Sequence, residues 1–392
     1  MSVVLNSNRI LVNHNYFASC PRGLEDILIQ ELNQISASEI KKTDGGVSFS
    51  GSLETLYKAN LSSRIATRIL CRVKEGNYIK EDDIYNAALS VKWTDLFDIS
   101  KTIKVSTTGI QCPLKSIDFM TLRIKDAVCD QFRNKINRRP DVAVRDPDVR
   151  IHLFLEKNTF QLYIDSSGIA LYQRGFRKDS VEAPLRENLA AGIIYLSGWA
   201  PGESFLDPMC GSGTFLIEAS MIAANQAPGL KRKFGFESWK NFDSDLLNKI
   251  KLGYEAQIIK GEPLRVFGSD KDIRAIRVAK KNLAAAGFED SVELSCKDFN
   301  QIKAPKDAGV LVANPPYGIR IGEDDDLAEI YPLWASTLKN IFAGWRTYFL
   351  TSDLRMPKLM RLSPSKKTPL YNGALDCRLF EIKMVAGSNR KK

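Results

Sequence analysis

The segment Asn314-Pro315-Pro316-Tyr317-Gly318 carries the most specific chemistry in this sequence, and it follows an apolar run at 309–312. Two prolines fix the backbone there. They hold the Asn314 side-chain oxygen and the Pro315 carbonyl as two outward-facing acceptors. Two acceptors suit an NH₂ group conjugated to a ring. Hydrogen-bonding both protons draws the nitrogen toward pyramidal geometry and frees its lone pair. Tyr317 is placed to stack on a flat base. A proline-rich turn capped by Asn is the plain alternative.

Three acids end three earlier apolar runs. Asp207 opens Asp207-Pro208-Met209-Cys210-Gly211-Ser212-Gly213-Thr214. Gly211 and Gly213 let backbone approach a ligand closely. The loop lacks the third glycine of G-x-G-x-x-G and the Gly-Lys-Ser/Thr ending of a phosphate loop. An acid ahead of the glycines favours a ligand with a positive group, such as an amino acid's ammonium. Asp270 ends the run Arg265-Val266-Phe267-Gly268-Ser269 and suits two ribose hydroxyls. Asp272 stands nearer the next helix and can cap it instead. Asp298 suits an adenine amino group, with Phe299 packed on the ring.

These residues need a scaffold that brings strand ends together. After about residue 180 short apolar strands recur at 205–206, 264–267, 292–294, 309–312 and 348–350. Helical patterns separate them at 214–225, 271–286 and 327–342. Alternation of this kind marks a doubly wound parallel sheet, whose ligands bind outside the carboxyl ends of the strands. A helix is expected over 181–196, and 370–384 reads as a terminal strand pair. The link at 227–262 is long, and its aromatics fit either a substrate-facing insertion or a helical decoration.

The first third differs. A strand, a Pro/Gly turn and a helix with Leu24, Ile27, Leu28 and Leu32 on one face occupy 16–35. A strand follows at 47–49, then helical spacing over 53–70. Alternating strands are expected at 102–106, 150–155 and 160–165. Between the first two lies a basic stretch over 122–139 with Arg123, Lys125, Arg133, Lys135, Arg138 and Arg139. Its one-sided charge favours a phosphate-facing surface over a solvated one. This α+β region reads as separate from the catalytic sheet.

Composition narrows the functions. The chain has 392 residues, 56 Lys+Arg against 46 Asp+Glu, and a net charge of +10. That balance suits a polyanionic partner. No apolar run is long enough for a membrane helix and no signal-type block opens the chain, so a soluble, cytoplasmic protein is expected. The seven cysteines form no C-x-x-C pair, and His14 and His152 are the only histidines. A His-based triad and a metal site are therefore not expected.

Together these features resemble the class I S-adenosylmethionine-dependent methyltransferases of the amino-methylating type. Asp207 to Thr214 is similar to their cofactor loop and Asn314 to Tyr317 to their catalytic motif. The resemblance covers nearly the whole chain. Phe17-Ala18-Ser19-Cys20-Pro21-Arg22-Gly23-Leu24-Glu25, Leu122-Arg123-Ile124-Lys125-Asp126-Ala127-Val128, Gln173-Arg174-Gly175-Phe176-Arg177 and Ala183-Pro184-Leu185-Arg186-Glu187-Asn188-Leu189-Ala190-Ala191 look like the bacterial THUMP-domain ribosomal RNA guanine-N2 methyltransferases.

The resemblance implies an α/β fold: a Rossmann-like doubly wound methyltransferase domain over 169–392, preceded by a ferredoxin-like subdomain over 1–55 and a THUMP RNA-binding domain over 56–168. It implies S-adenosylmethionine as cofactor, held by Asp207, Pro208, Cys210, Gly211, Gly213, Thr214, Asp270, Asp298, Phe299 and Asn314. Asn314, Pro315 and Tyr317 would act on the target. Arg174 and Arg177 join the basic stretch as RNA contacts. The implied reaction is methylation of a guanine N2 amine in ribosomal RNA or its precursor, a 23S-type large-subunit RNA first, without metal or membrane. The alternatives are an N6-adenine methyltransferase on RNA or DNA, a protein-glutamine methyltransferase and a non-catalytic RNA-binding assembly factor. A nicotinamide dehydrogenase is disfavoured by the missing glycine and by Asn-Pro-Pro-Tyr.

Overall fold

The computed structural model describes residues 14–177, 185–261, 264–306, 308–315 and 323–385. Its described strands form two seven-stranded sheets.

The first sheet holds β1 (His14–Ser19), β2 (Ser38–Thr43), β3 (Gly46–Gly51), β4 (Arg68–Asn77), β5 (Ile103–Ile110), β6 (Val149–Glu156) and β7 (Thr159–Asp165), in the order β2-β3-β1-β4-β7-β6-β5. Its strands alternate as a one-sided sheet requires. Along β6 the side chains of Ile151, Leu153 and Leu155 are fully buried, while Arg150, His152 and Phe154 stay partly open on the other face. The helices α1 (Glu25–Gln34), α2 (Leu53–Ser62), α3 (Glu81–Leu89), α4 (Trp93–Leu96) and α5 (Ile117–Ile136) cover the apolar face. α5 buries Met120, Ile124, Val128 and Phe132. It starts where Ser116 Oγ accepts from the Phe119 N–H at 3.1 Å and stops at Asn137 in the left-handed region, φ 56°.

The helical spacing expected over 53–70 breaks early. α2 ends at Ser62 and β4 starts at Arg68. Glu31 on α1 captures the turn between them, accepting from Ser63 Oγ at 2.6 Å and the Arg64 N–H at 3.0 Å. A contact across 33 residues thus overrides local propensity.

The second sheet holds β8 (Ser204–Asp207), β9 (Val266–Asp270), β10 (Val292–Cys296), β11 (Gly309–Ala313), β12 (Arg346–Thr351), β13 (Lys366–Asn372) and β14 (Leu375–Lys383), in the order β10-β9-β8-β11-β12-β14-β13. The strands from β10 to β12 run parallel, and β14 runs antiparallel to both β12 and β13. β8 and β11 are buried at every residue, the mark of central strands covered on both faces. The covering helices include α6 (Glu187–Leu196), α7 (Thr214–Ala223), α8 (Ser244–Glu255), α9 (Ile273–Ala286), α10 (Glu323–Ile341) and α11 (Met356–Met360). The helix expected over 181–196 begins at Glu187; 181–184 lie outside the described residues.

The first region has a sheet of its own, apart from the second sheet, yet the two halves share buried contacts. One buried apolar cluster runs through both. α6 approaches α1 so closely that a Cβ on Gly192 would lie 2.3 Å from Leu24 Cδ1. Arg64 donates to the Met221 and Gln226 carbonyls, and Asn188 donates to the Ile65 carbonyl. The long link at 227–262 turns out to be a clamp. Phe236 stacks on Tyr57 at 4.3 Å between ring centroids, Lys240 N–H donates to the Leu96 carbonyl, and Asp243 N–H donates to Tyr57 Oη. Part of the second half's core is thus shared with the first sheet's helices, while a second cluster around Phe342 and Trp345 lies wholly within it.

Candidate functional site

β8 is followed by β9 on one side and pairs with β11 on the other, so chain order reverses between β8 and β11. Ligands of open α/β sheets bind at such a switch point, beyond the carboxyl ends of the strands. Asp207 ends β8. The register pairs Leu311 with Leu206; continued, it sets Asn314 two residues past the level of Asp207. The acidic loop and the Asn-Pro segment therefore flank the same crevice.

The loop after β8 is built for close approach. Gly211 and Gly213 have φ of 51° and 83°. A Cβ on Gly213 would meet the Ala279 Cβ at 3.3 Å, where α7 starts against α9. The Cys210 N–H donates to the Ser269 carbonyl at 2.9 Å, and Asn282 Nδ2 donates to the Ser212 carbonyl at 3.0 Å. Asn282 had no sequence signal, being a polar residue on an apolar helix face. Pro208 and Thr214 sit in this loop and at the first turn of α7. Cys210 is buried, and burial raises its thiol far above its ordinary value, so it is no nucleophile.

Asp207 is buried, with Oδ1 accepting from the Met209 N–H at 3.1 Å. Burial pushes its carboxyl up to about 8; the Met209 N–H opposes this and the charge of Asp270 adds to it. Among the described residues no lysine or arginine offsets the carboxylate. A buried acid in that state fits a cationic ligand group that would restore its charge.

Asp270 is partly open and internally engaged. Its two oxygens accept from the Gly211 N–H at 3.0 Å and the Asp272 N–H at 2.9 Å. Asp272 caps α9 by accepting from the Arg274 N–H at 2.8 Å, as the sequence suggested. Asp298 follows β10, partly open, and caps a short turn by accepting from the Asn300 N–H at 2.9 Å. Each carboxylate keeps further lone pairs for a ligand. Asn314 is partly open and Pro315 buried; Pro316 and Tyr317 lie outside the described residues.

Several expectations are corrected. Phe299 is buried against Trp334, with ring centroids 5.5 Å apart, and so belongs to the core rather than to an open stacking surface. Arg174 faces no RNA. Its Nε donates to Glu218 Oε1 at 3.2 Å and its Nη2 to the Arg64 carbonyl at 2.6 Å, with both charged side chains buried. Arg177 reaches Glu187 at 3.2 Å and donates to Thr214 Oγ1 at 3.1 Å, bracing the start of α7. The α5 cations are not among these corrections: their ion pairs, Arg123 with Asp82, Lys125 with Asp126, Arg133 with Asp130 and Lys135 with Asp95, are partly exposed to solvent. Arg138 and Arg139 are exposed beyond the helix end. A fourth strand-end acid was missed: Asp353 follows β12, and its Oδ2 accepts from Tyr331 Oη at 3.4 Å. Burial acts to raise it, but hydrogen bonds and charge from Arg355 prevail and hold it below its ordinary value. The strand-end rule that found the other acids would have found this one.

Arg174→Ala is expected to strand the buried Glu218 carboxylate, whose Oε2 already lacks a partner among the described residues. Loss of one member of a buried pair costs about 3–5 kcal/mol. Chemical denaturation should read that loss, while RNA affinity per folded molecule stays unchanged.

No described helix is long and apolar enough to cross a membrane. Comparison with known proteins matches residues 174–381 to the RMKL-like methyltransferase domain, 78–165 to the THUMP domain and 15–70 to the RlmL ferredoxin-like domain. A ribosomal RNA large subunit methyltransferase K/L of Aeromonas salmonicida is 37% identical over 96% of this chain and 55% of its own length. The chain thus spans about half the length of the curated relatives it matches. A solved structure described as a methyltransferase complexed with SAH is 30% identical, with TM-score 0.87 over 96% of this chain and 99% of that one. Another, described as a predicted N6-adenine-specific DNA methylase of Listeria monocytogenes, is 27% identical, with TM-score 0.86 over 95% and 97%.

Proposed function

Because the chain belongs to the RMKL-like methyltransferase family, with THUMP and ferredoxin-like domains ahead of the catalytic one, we propose that it methylates the exocyclic N2 amine of a guanine in large-subunit ribosomal RNA, using S-adenosylmethionine in the cytoplasm. The observation that carries this reading is the switch point between β8 and β11, flanked by the buried Asp207, which no described lysine or arginine offsets, and by Asn314-Pro315. In the division of labour we infer, 1–55 and 56–168 grip RNA and 169–392 performs the transfer. The relative from Aeromonas salmonicida carries a ribosomal RNA methyltransferase name, which supports the substrate class.

The residues fit the cofactor. Asp207 would hold its ammonium, Asp270 its ribose hydroxyls and Asp298 its adenine amine, and the glycine loop would leave room for its amino-acid end. The bound cofactor supplies an electrophilic methyl group on a sulfonium. The Asn314 side-chain oxygen and the Pro315 carbonyl would accept the two protons of the target amine and orient its lone pair. As the nitrogen gains positive charge, these two preorganised acceptors stabilise it. Positioning of the amine supplies several kcal/mol more. The surplus proton leaves to water, and no residue is assigned as a base.

Asp270→Ala should lower S-adenosylmethionine affinity roughly 10–100-fold, the scale of a charge-assisted hydrogen-bond pair at about 1.5–3 kcal/mol. It should also lower stability, because Gly211 and Asp272 lose an acceptor. Calorimetry on the folded variant checks the affinity, and unchanged binding would remove Asp270 from the site. The function itself is tested by methyl-label transfer into deproteinised RNA. Label should enter large-subunit ribosomal RNA in preference to small-subunit RNA and transfer RNA.

A further inference from the structure

The described residues hold one large hollow, about 990 Å³, on the face of the first sheet that no described helix covers. That size is at the upper end of pockets that bury a drug-sized ligand. It lies across the sheet from α5. β6 turns Ile151, Leu153 and Leu155 toward the helices and Arg150, His152 and Phe154 into the hollow.

Its charge pattern is unusual. Lys104 and Arg150 are direct cross-strand partners in the β5–β6 register, and both line the hollow. Like charges placed opposite each other destabilise a sheet. Arg68 adds a third cation: burial first, and then the charge of Arg68, hold Arg150 below its ordinary value. The Arg150 Nε is buried with no hydrogen-bond partner among the described residues. Lys104 donates to the Val144 carbonyl at 3.0 Å, a neutral acceptor. Of the two acids that attract Arg150, Asp165 is taken up by Arg68 and by the Ser167 N–H, and Asp146 acts more weakly; Glu39, Asp44 and Glu156 also line the hollow. An anion between Lys104 and Arg150 would relieve the repulsion.

The rest of the hollow suits nucleotides rather than a bare phosphate. Phe17, Phe154 and Tyr163 line it from β1, β6 and β7. His152 is held between Ser106 Oγ at 3.0 Å and Thr108 Oγ1 at 3.1 Å. Burial and Arg68 push it down to about 4, so it presents a neutral ring at physiological pH. Aromatic faces interleaved with cations on an open sheet form a stacking platform for unpaired bases. The loop with the exposed Arg138, Arg139 and Arg145 runs along the outer edge of β5, where the Ile103 N–H donates to the Asp141 carbonyl and the Ala143 N–H to the Ile103 carbonyl.

We propose that this hollow holds a single-stranded segment of the RNA substrate, with phosphates on Lys104 and Arg150 and bases on the partly open rings of Phe17 and Phe154. The inference rests on the RNA reading above, but moves the contact from the α5 face to the opposite side of the sheet.

The test is a titration of the full chain with a short fluorescent single-stranded oligoribonucleotide at several salt concentrations. The double variant Lys104→Gln/Arg150→Gln should weaken binding about tenfold or more. It should also lower the salt slope by about 0.7 for each phosphate left without its cation. Arg133→Gln/Lys135→Gln, across the sheet, should change affinity less than about threefold. Unchanged affinity in the first variant overturns the proposal, as does a larger loss in the second. Unaltered S-adenosylhomocysteine binding certifies that each variant is folded. Should the first variant fail to fold, wild-type protein crosslinked to a 4-thiouridine oligoribonucleotide decides: adducts on the peptides of β1, β6 or β7 support the hollow, and adducts confined to α5 overturn it. Groove-dependent binding without guanine methylation would sink the functional reading and leave this one standing. Methylation with unaltered binding in the groove variant would do the reverse.

Discussion

Asp207→Asn is expected to lose S-adenosylmethionine affinity by about 100-fold or more at pH 8 while raising the melting temperature of the unliganded protein. The two effects share one cause. Burial holds this carboxyl at about 8, far above the 3.8 of an exposed aspartate. In the unliganded fold it is therefore protonated over a range where the unfolded chain would ionise it. Stability must fall as pH rises from about 4 to about 8, because the folded state binds the extra proton there. The upper bound is ~1.4 kcal/mol for each pH unit, reduced by whatever water enters. Asn is neutral throughout and removes the penalty. A cationic ligand reverses the balance: its ammonium needs the carboxylate, and binding below pH 8 expels a proton. Wild-type affinity should climb up to tenfold per pH unit and level off near 8, while the Asn variant shows a weak, flat profile. Calorimetry across pH, paired with thermal melts, checks both. A variant that binds like wild type would mean Asp207 only shapes the loop.

Asn314→Ala should separate chemistry from binding. Affinity for S-adenosylmethionine is expected to change little, while the single-turnover methylation rate at saturating RNA falls roughly 10²–10³-fold. The scale comes from the loss of one preorganised hydrogen-bonding group where charge develops. Asn314 directly follows the fully buried β11, so the sheet holds the backbone that leads into it. The Pro315 carbonyl remains as one acceptor, which is why the loss is large but incomplete. A near-wild-type rate would show the amide oxygen to be dispensable.

The site was legible in the sequence to the extent that it depends on strand ends. Short apolar runs closing on Asp207, Asp270, Asp298 and Asn314 state a parallel sheet and its ligand edge at once, and the fold places all four at those ends. What the sequence hid depends on distant contacts. Arg174 reads as a surface charge until Glu218, 44 residues on, closes over it. The break after Ser62 depends on Glu31. Phe299 beside an acid looks like a stacking ring, yet Trp334 on α10 draws it into the core. The shared core between the two halves left no local trace either, since the small size of Gly192 matters only once Leu24 lies against it. The hollow on the first sheet escaped for the same reason. Lys104 and Arg150 stand far apart in sequence, and only the β5–β6 register makes them neighbours.

The central claim is that the two acceptors at the end of β11 serve a guanine amine. It is tested most directly by mass spectrometry of nucleosides from large-subunit ribosomal RNA treated with the full chain and methyl-labelled S-adenosylmethionine. Label is expected in N2-methylguanosine, strongly reduced in the Asn314→Ala reaction. Label in N6-methyladenosine, or no label in RNA from a protein that binds the cofactor normally, would contradict it.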